Sequence, residues 1–473
     1  MLKRLIILII ILTCSRPVRG QVWTNLSNST PFNGYSHFFC SVVDSVNNKL
    51  YLGGLFTGIN TYTTHGVISF DGTNFDTLQG GIDKNYPGFA ASLVTELAMY
   101  KNKLYVSGYF ETAGSVYSPY LARWNGTSWD NINFQVNNDV KFCGIVNDEL
   151  IMIGPDTIQG VKMNYGARFN GSTWTSIPEQ LQPEESLQGM AYLKGRYYKY
   201  GQLNNNTSSA LLFYSDGTKW IPWIGAAGDP GKAIFGIKTI DTLMWVYGRF
   251  DNIAGTNCKG LAAFDGVNWY GFGSGVYDTS WETVYSVNKI NGEIYITGNI
   301  DKIDGLSNSN SAKTKITGMA KFDGQKWCLI GPNTDGTVHG LAYFKNKIYS
   351  YGYYDHFAND TMNGFSRYNG VSSYTCGTPA NITIKNVGLN EYFEFGDIKI
   401  YPNPVKEILK IESESFEGMQ VRLQLTDNLG RELYQGTYSG GFTEIDMNGF
   451  SPGIYFLKLG NTQTQKVFKV IKE

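Results

Sequence analysis

Residues 102–129 read NKLYVSGYFETAGSVYSPYLARWNGTSW, and this stretch decides the fold. Asn102-Lys103 and Asn125-Gly126 are turn-forming pairs, and apolar and aromatic residues typical of β-strands surround both. The Asn-Gly pair predicts a two-residue hairpin turn of type I′, because both central residues of that turn need positive φ. Residues 121–124 and the strand that carries Trp129 are therefore predicted to pair.

The same signal recurs along the chain as an Asp-Gly or Asn-Gly pair followed by an aromatic residue. The pairs begin at Asp71, Asn125, Asn170, Asp216, Asp265, Asp323 and Asn369, and their aromatic residues are Phe75, Trp129, Trp174, Trp220, Trp269, Trp327 and Tyr374. Successive pairs lie 45 to 58 residues apart, a kelch-like spacing that suits a four-stranded propeller blade. We therefore predict an all-β chain with a seven-bladed β-propeller over residues 21–376.

Each repeat reads as four antiparallel strands, so its first and third turns lie on one face of the propeller. The second loop and the connection between blades lie on the other face, where length and composition vary. Variable loops on a rigid scaffold usually carry the binding residues. The aromatic residue after each Asn-Gly or Asp-Gly pair is predicted to lie in the core between blades.

Ring closure has two solutions in the sequence. Residues 21–26 resemble an outer strand without a blade. They either complete the last blade as a clasp or displace the strand that contains Tyr374.

The repeats resemble a known family. LYLGGLF at residues 50–56, followed by GVISFDG at 66–72 and LQGG at 78–81, is similar to the Gly-Gly-x-Phe repeat of fungal cortical-marker propellers and many bacterial surface proteins. The resemblance implies the fold and says little about activity, because propellers host many functions.

The two ends of the chain carry different signals. Lys3 and Arg4 precede an aliphatic run at residues 5–12, and Gly20 is suited to cleavage, so residues 1–20 are predicted to be a signal peptide. Composition changes after Cys376. Residues 377–397 are interpreted as a linker, and the alternating strands of residues 398–473 predict a small Ig-like β-sandwich.

That final segment resembles the type A sorting domain of the type IX secretion system of the Bacteroidetes. The matching motif residues are Tyr401, Pro402, Asn403, Pro404, Gly430, Arg431, Gly453 and Tyr455. The resemblance implies passage through the periplasm, recognition by the type IX secretion machinery, and a secreted or outer-membrane-surface location. It also implies either release or attachment to surface lipopolysaccharide.

Other chemistry has little support. The four histidines form no metal-ligand pair, so neither a metal nor a cofactor is predicted. A net charge of −1 gives no electrostatic case for binding nucleic acid or an acidic membrane. Five cysteines follow residue 20, and their spacing does not identify a disulfide. Arg123, Arg168, Lys321 and Arg367 occupy equivalent repeat positions, which favours a repeated structural role over a sialidase-like cluster.

The candidate ligand-binding residues are the aromatic and polar residues of the variable face. They are Tyr86, Tyr277, Trp281, Tyr354 and His356. We predict a non-catalytic binding or adhesion module that contacts glycan or protein through them. The alternative is a secreted glycan hydrolase or lyase that uses the loop carboxylates Asp83, Asp278 and Glu282.

Overall fold

The chain is almost entirely β-structure. The computed structural model describes residues 22–26, 29–30, 37–83, 92–130, 134–177, 186–202, 210–217, 219–223, 233–253, 256–277, 283–300, 302–307, 318–331, 333–358, 360–370, 375–386, 398–412, 420–427, 431–439, 442–460 and 465–473. These ranges contain strands and turns and no α-helix, which confirms the all-β prediction.

Seven consecutive antiparallel sheets in the described ranges, here called blades 1 to 7, share one strand order. Six of them run from an inner strand through a second and a third strand to an outer strand, and blade 2 has the first three strands and a single bridge between Trp124 and Trp129. Blades 1 to 3 are formed by His37–Asp44, Lys49–Leu55, Val67–Phe70 and Phe75–Asp76; by Leu93–Tyr100, Lys103–Tyr109 and Leu121–Trp124; and by Phe142–Val146, Glu149–Ile153, Gly166–Phe169 and Trp174–Ser176. Blades 4 and 5 are formed by Ser186–Leu193, Arg196–Gln202, Ala210–Ser215 and Trp220–Pro222, and by Ala233–Ile240, Leu243–Arg249, Leu261–Phe264 and Asn268–Phe272. Blades 6 and 7 are formed by Thr283–Ile290, Glu293–Asn299, Met319–Phe322 and Trp327–Leu329, and by Thr337–Phe344, Lys347–Tyr353, Phe365–Tyr368 and Trp23–Asn25.

The inner strands form a closed ring. Each packs against the inner strand of the next blade, and that of blade 7 packs against that of blade 1. Apolar side chains from adjacent blades fill the space between them, as where Tyr198 of blade 4 joins Phe264 and Trp269 of blade 5. This arrangement is a β-propeller.

The N-terminal strand closes the ring. Trp23–Asn25 pairs with Phe365–Tyr368 and supplies the outer strand of blade 7. Trp23 is only 1% exposed, and its ring lies 5.3 Å from that of Phe357 and 5.2 Å from that of Tyr368. The N-terminal strand thus completes blade 7, in the outer position that the sequence assigns to the strand with Tyr374, while Thr375–Cys376 pairs with blade 6. Tyr374 itself lies outside the described residues.

The segment after blade 7 adds strands to two other blades. Thr375–Cys376 pairs with the outer strand of blade 6, and Ile382–Asn386 pairs with that of blade 5. A disulfide joins Cys328 to Cys376. The predicted linker therefore begins with a strand, because the outer strand of blade 5 offers an edge whose backbone groups residues 382–386 can satisfy.

The third turns that are described in full, those of blades 1, 2, 3, 5 and 6, differ from the predicted type I′ turn. In blade 5 the strands end at Phe264 and resume with Asn268, and the carboxylate of Asp265 accepts the backbone N–H groups of Val267 and Asn268 at 2.7 and 2.6 Å. Only the glycine has positive φ, which is 97° at Gly266. The Asp or Asn thus acts through its side chain, as an Asx turn, and not through its backbone.

Two-residue turns with positive φ at both positions occur at the first hairpin instead. The residue pairs are Lys101-Asn102, Asn147-Asp148, Lys194-Gly195, Asn291-Gly292 and Lys345-Asn346. The first and third turns share one face, here called the turn face.

The opposite face is more regular than predicted. In six blades the second loop folds into a short hairpin, here called an arm. The arms are Gly58–Ile59 with Tyr62–Thr63, Thr112–Ala113 with Val116–Tyr117, Thr157–Ile158 with Val161–Lys162, Asn252–Ile253 with Thr256–Asn257, Lys302–Ile303 with Leu306–Ser307, and His356–Phe357 with Asp360–Thr361. Three connecting strands, Ser29–Thr30, Ile82–Asp83 and Val276–Tyr277, pair with the arms of blades 1, 2 and 6. This face is called the arm face below.

The repeated aromatic residues mostly lie in the core, as predicted. Trp269 and Trp327 are buried, and each packs on the phenylalanine across its hairpin, with ring centroids 4.8 and 5.1 Å apart. Trp220 is an exception and stays half-buried. Its partner across the hairpin is Ser215, and Lys199 lies 4.7 Å from its ring.

Residues 398–473 form two further sheets. One contains Lys399–Tyr401, Ile408–Glu412 and Phe442–Asp446, and the other contains Gln420–Asp427, Glu432–Ser439, Gly453–Gly460 and Gln465–Lys472. Leu409, Ile445, Leu425 and Leu457 from the two sheets share one buried core. The arrangement is a β-sandwich.

Candidate functional site

The seven inner strands surround a central channel. Its cavity measures about 800 Å³ and is lined by residues of every inner strand. Because each inner strand starts at the arm face and ends in the first turn, the channel runs from the arm face to the turn face. The cavity is within the size range of small-ligand sites, roughly 300–1,000 Å³.

A β-bulge marks the arm-face mouth of this channel. In six inner strands, one residue near the start is left out of the pairing with the second strand. The bulged residues are Phe39, Thr95, Gln188, Phe235, Tyr285 and His339. A bulge redirects a side chain, and bulges are common beside functional sites. Five of the six bulged residues, all except Thr95, line the cavity.

Four of these side chains are aromatic and lie on consecutive blades, 5, 6, 7 and 1. Ring centroids are 5.2 Å apart for Phe235 and Tyr285, 5.5 Å for Tyr285 and His339, and 5.2 Å for His339 and Phe39. His37 stacks on Phe39 at 5.7 Å and extends the row. These five residues are called the aromatic arc. The bulged residues of blades 2 and 4, Thr95 and Gln188, are polar.

Both histidines of the arc are uncharged at neutral pH. Burial lowers the pKa of His339, whose Nδ1–H donates to the carbonyl of Phe38 at 2.8 Å. Burial also lowers the pKa of His37, against the opposing effect of Asp355. The arc therefore presents neutral flat rings to the channel.

A second layer of residues lies immediately inside the mouth. In blades 4, 5 and 7 the inner strand has glycine there, paired with Tyr200, Tyr247 and Tyr351 of the second strand. A Cβ atom on Gly236 would lie 2.2 Å from the hydroxyl oxygen of Tyr247, so glycine is what lets the ring pass over the inner strand. Burial raises the pKa of all three tyrosines, which keeps their hydroxyls neutral.

Blade 2 places a carboxyl group in this layer. Glu96 pairs with Ser107 at the position where blades 4, 5 and 7 pair glycine with tyrosine. Among the residues that the structure describes, none makes a hydrogen bond or ion pair with the Glu96 side chain. Burial raises the pKa of Glu96 to about 7. The site thus combines an aromatic wall with one uncompensated carboxyl group.

Tyr354 does not belong to the binding surface predicted for it. The side chain is only 2% exposed, and its hydroxyl lies 2.8 Å from Ser350 Oγ and 3.2 Å from Ser366 Oγ. Tyr354 follows the second strand at the repeat position of Phe56 and Phe110, which are also buried. Aligning the repeats would have assigned it to the core.

His356 has a structural contact on the arm of blade 7. Its Nδ1 lies 2.7 Å from Asp335 Oδ2. The other oxygen of this carboxylate, Asp335 Oδ1, accepts the backbone N–H groups of Asp355 and His356. Asp335 belongs to the connection from blade 6, so the contact ties that connection to the arm. The side chain of Tyr277, and Tyr86 and Trp281 entirely, lie outside the described residues.

The predicted loop carboxylates are not brought together where they can be described. Asp83 lies 3.5 Å from His65 Nδ1 on the connection between blades 1 and 2, whereas Asp278 and Glu282 fall outside the described residues. The equivalent cationic residues of the third strands have partners in their own blades. Arg123 pairs with Asp130 at 2.5 Å and Lys321 with Glu293 at 2.7 Å, in keeping with a structural role.

Sequence reasoning missed the channel residues. The hydropathy pattern of an inner strand does not reveal which residue is bulged, because the bulge arises from pairing with the second strand. The available signal was weak: glycine on the inner strand eleven residues before a tyrosine, as in Gly189 with Tyr200 and Gly236 with Tyr247.

The C-terminal motif residues hold the sandwich together. Asn403 Nδ2 donates to the carbonyl of Lys469 at 2.8 Å, and Asn403 Oδ1 accepts the N–H of Ile471 at 2.9 Å. Asp427 accepts both the backbone N–H and Nε of Arg431, at 2.9 and 2.7 Å. The motifs therefore anchor the first loop and the central turn to neighbouring strands.

Among the described residues, no group of three or more His, Cys, Asp or Glu is placed to hold a metal ion. In the same ranges there is no helix of the length and hydrophobicity that crossing a membrane requires.

Residues 399–473 match the family of the secretion system C-terminal sorting domain. This match indicates export to the cell surface or secretion and implies the secretion machinery as a partner. A search of curated proteins gives no match.

Three solved structures are weakly similar. YCF48 bound to a D1 peptide is 10% identical, with a TM-score of 0.41 over 74% of this chain and 97% of that chain. PorZ, an essential surface component of the type IX secretion system of Porphyromonas gingivalis, is 11% identical, with a TM-score of 0.30 over 93% of this chain and 66% of that chain. Trypanosoma rangeli sialidase in complex with sialic acid is 13% identical, with a TM-score of 0.34 over 95% of this chain and 88% of that chain. At these TM-scores the similarities carry no argument about this chain.

Proposed function

We propose that this exported chain, which ends in a secretion sorting domain, is a non-catalytic binding module whose propeller takes a glycan at the arm-face mouth of its channel. The observation that supports the proposal is the aromatic arc. Four adjacent blades use the same bulge to direct a flat ring into one opening, which a purely structural role in the blade does not require.

The composition of the channel fits a ligand site. Binding pockets combine a largely apolar, aromatic lining with a few placed polar groups. The arc offers apolar ring faces, and Glu96 of blade 2 and Gln188 of blade 4 offer hydrogen-bonding groups in the same cavity. A sugar has a comparable division between an apolar ring face and hydroxyl groups.

Geometry favours binding over glycoside hydrolysis. Hydrolysis of this kind uses two carboxyl groups about 5–10 Å apart. In the described part of the channel lining, the carboxyl residues are Glu96 and Asp148. Asp148 lies on a first turn, six strand positions from the level of Glu96, which corresponds to about 20 Å at ~3.3 Å per residue.

The test uses the chain without its signal peptide, screened on a glycan array and then titrated calorimetrically with the best glycan. We expect Tyr285→Ala and Phe39→Ala each to weaken binding about tenfold or more, since stacking area is lost. Phe442→Ala, which removes a ring that is 51% exposed on the sandwich, serves as the control and should bind normally. The proposal fails if no glycan is retained, if only a protein ligand is found, or if both arc variants bind like the control.

Surface display is the second part of the proposal. The sorting domain is expected to hand the chain to the type IX machinery, after which the propeller is released or attached to lipopolysaccharide. Cell fractionation of a chain that ends at residue 398 should show retention in the periplasm.

A further inference from the structure

We propose that the glycan bound in the channel is an amino sugar with a free amine, and that Glu96 is the residue that recognises its ammonium group. This inference rests on the proposed function and adds the chemical class of the ligand. It starts from a carboxyl group that the fold holds inside the channel with no described partner.

The position of Glu96 is determined by the repeat. It follows the bulged Thr95 on the inner strand of blade 2, one residue inside the mouth. The equivalent residues of blades 4, 5 and 7 are glycines with a tyrosine ring passing over them. A carboxyl group there departs from the pattern without contributing a hydrogen bond to any described residue. Burial of an unpaired charge is costly, so a ligand cation would remove a cost that the free protein bears.

The titratable groups that interact electrostatically with Glu96 are neutral. Glu96 acts electrostatically on five titratable groups of other blades, which are Cys40, Cys143, Tyr200, Tyr247 and Tyr351. Burial raises the pKa of each, so all five are neutral between pH 5 and pH 8.

Charged groups flank this layer. At the mouth Asp355 acts on His37 and Arg249 acts on Tyr285, and Lys238 lies deeper in the channel. Lys238 of blade 5 is two residues beyond the Gly236 level, and its Nζ is 3.4 Å from Asn288 Oδ1. Burial lowers the pKa of Lys238. The opening itself is lined by the aromatic arc, whose ring faces attract cations. An ammonium group entering from the arm face therefore meets ring faces first and the carboxyl group next.

Calorimetric titration of the signal-peptide-free chain with two matched oligomers tests the inference. The probes are a β-1,4 glucosamine hexamer with free amines and the N-acetylated hexamer of the same linkage. We expect the free-amine oligomer to bind at least tenfold more tightly. Glu96→Gln should abolish that preference without weakening the acetylated oligomer, and Glu96→Asp should restore part of it. Tyr285→Ala should weaken both oligomers alike.

A pH series gives a second measure that does not need a variant. Burial raises the pKa of Glu96 to about 7, so ionising it for the ammonium group becomes harder as the pH falls. The amine of the oligomer gains its proton as the pH falls, whereas Glu96 loses its charge. Affinity for the free-amine oligomer should therefore pass through a maximum near neutral pH and fall on both sides, while affinity for the acetylated oligomer should stay level.

Three outcomes would overturn the inference. They are equal or better binding of the acetylated oligomer, an undiminished preference in Glu96→Gln, and binding of other glycans with neither hexamer bound. In each of these the proposed glycan-binding function stands. If no glycan of any kind binds, the proposed function fails, and the inference fails with it.

Discussion

Single residues in this propeller act mainly through their side-chain hydrogen bonds. The turn aspartates and asparagines look like type I′ residues in the sequence, yet they cap the turn with their side chains. Asp265 is one example, and it also accepts the Tyr270 hydroxyl at 2.6 Å. Although burial opposes the shift, the hydrogen bonds from Tyr270, Asn268 and Val267 lower the pKa of Asp265 to about 2.

Asp265→Ala should therefore destabilise the protein by about 1–3 kcal/mol at neutral pH, since two backbone N–H groups lose their acceptor. Because folding favours the ionised carboxylate, this contribution is present above the ordinary pKa of about 4 and is lost as the pH falls towards 2. Thermal unfolding monitored by tryptophan fluorescence measures the loss. Asp265→Asn is the matched control, because Asn125 and Asn170 already cap turns in blades 2 and 3. An equal loss in both variants would contradict the capping role.

Glu96 should make the stability of the protein depend on pH with the opposite sign. Its pKa is raised on folding, so folding favours the protonated form; stability is highest below the ordinary pKa of about 4.5 and falls as the pH rises through 7. A shift of this size corresponds to at most about 3 kcal/mol, and the access of solvent through the channel reduces our expectation to about 1–2 kcal/mol.

Melting temperatures of the unmodified protein and of Glu96→Gln, compared at pH 5 and pH 8, test this expectation. The melting temperature of Glu96→Gln, relative to that of the unmodified protein, should rise by roughly 2 °C or more from pH 5 to pH 8. A difference that does not change with pH would show that Glu96 ionises freely.

At the scale of whole strands, the ends of the chain complete the blades. The sequence identifies an unpaired outer strand at residues 21–26 but leaves open how it joins the last blade. The strand pairing settles that question, because Trp23 lies opposite Tyr368 in the third strand of blade 7. The later strands at 375–376 and 382–386 occupy edges that the periodicity of the repeats does not predict.

Trp23→Ala should open the clasp. A fully buried tryptophan replaced by alanine typically costs about 3–5 kcal/mol, and here the loss falls on the joint between the first and last strands of the ring. Limited proteolysis should then cut blade 7 first, and the melting temperature should fall. Thr24→Ala in the same strand removes only an exposed side-chain contact with Asn369 and should behave almost normally. Similar losses in the two variants would argue against Trp23 as the anchor.

For the molecule as a whole, the disulfide fixes where the propeller ends. Cys328 lies on the outer strand of blade 6 and Cys376 on the strand that follows blade 7, 48 residues later. The bond thereby holds residues 375–376 against blade 6 ahead of the segment that leads to the sandwich.

Cys376→Ser is expected to lower the stability of the propeller by about 2–4 kcal/mol, because the closed loop of 48 residues constrains the unfolded chain. It should also make residues 375–386 more sensitive to protease. The unmodified protein treated with a reducing agent should show the same change, and Cys328→Ser should match it. Resistance to protease in all three would show that strand pairing alone holds the segment.

The sequence by itself determined the strands, the repeat and the export domain, since turn residues, alternating apolar residues and C-terminal motifs are local patterns. Tertiary structure alone decided the ring closure, the disulfide partners and the channel site. Tyr354 entered the core because its repeat position is an inward one, and Phe39, Tyr285 and His339 met because bulges in separate blades turn towards one axis. Contacts between residues some 50 to 300 positions apart depend on how the blades pack, and no local pattern encodes them.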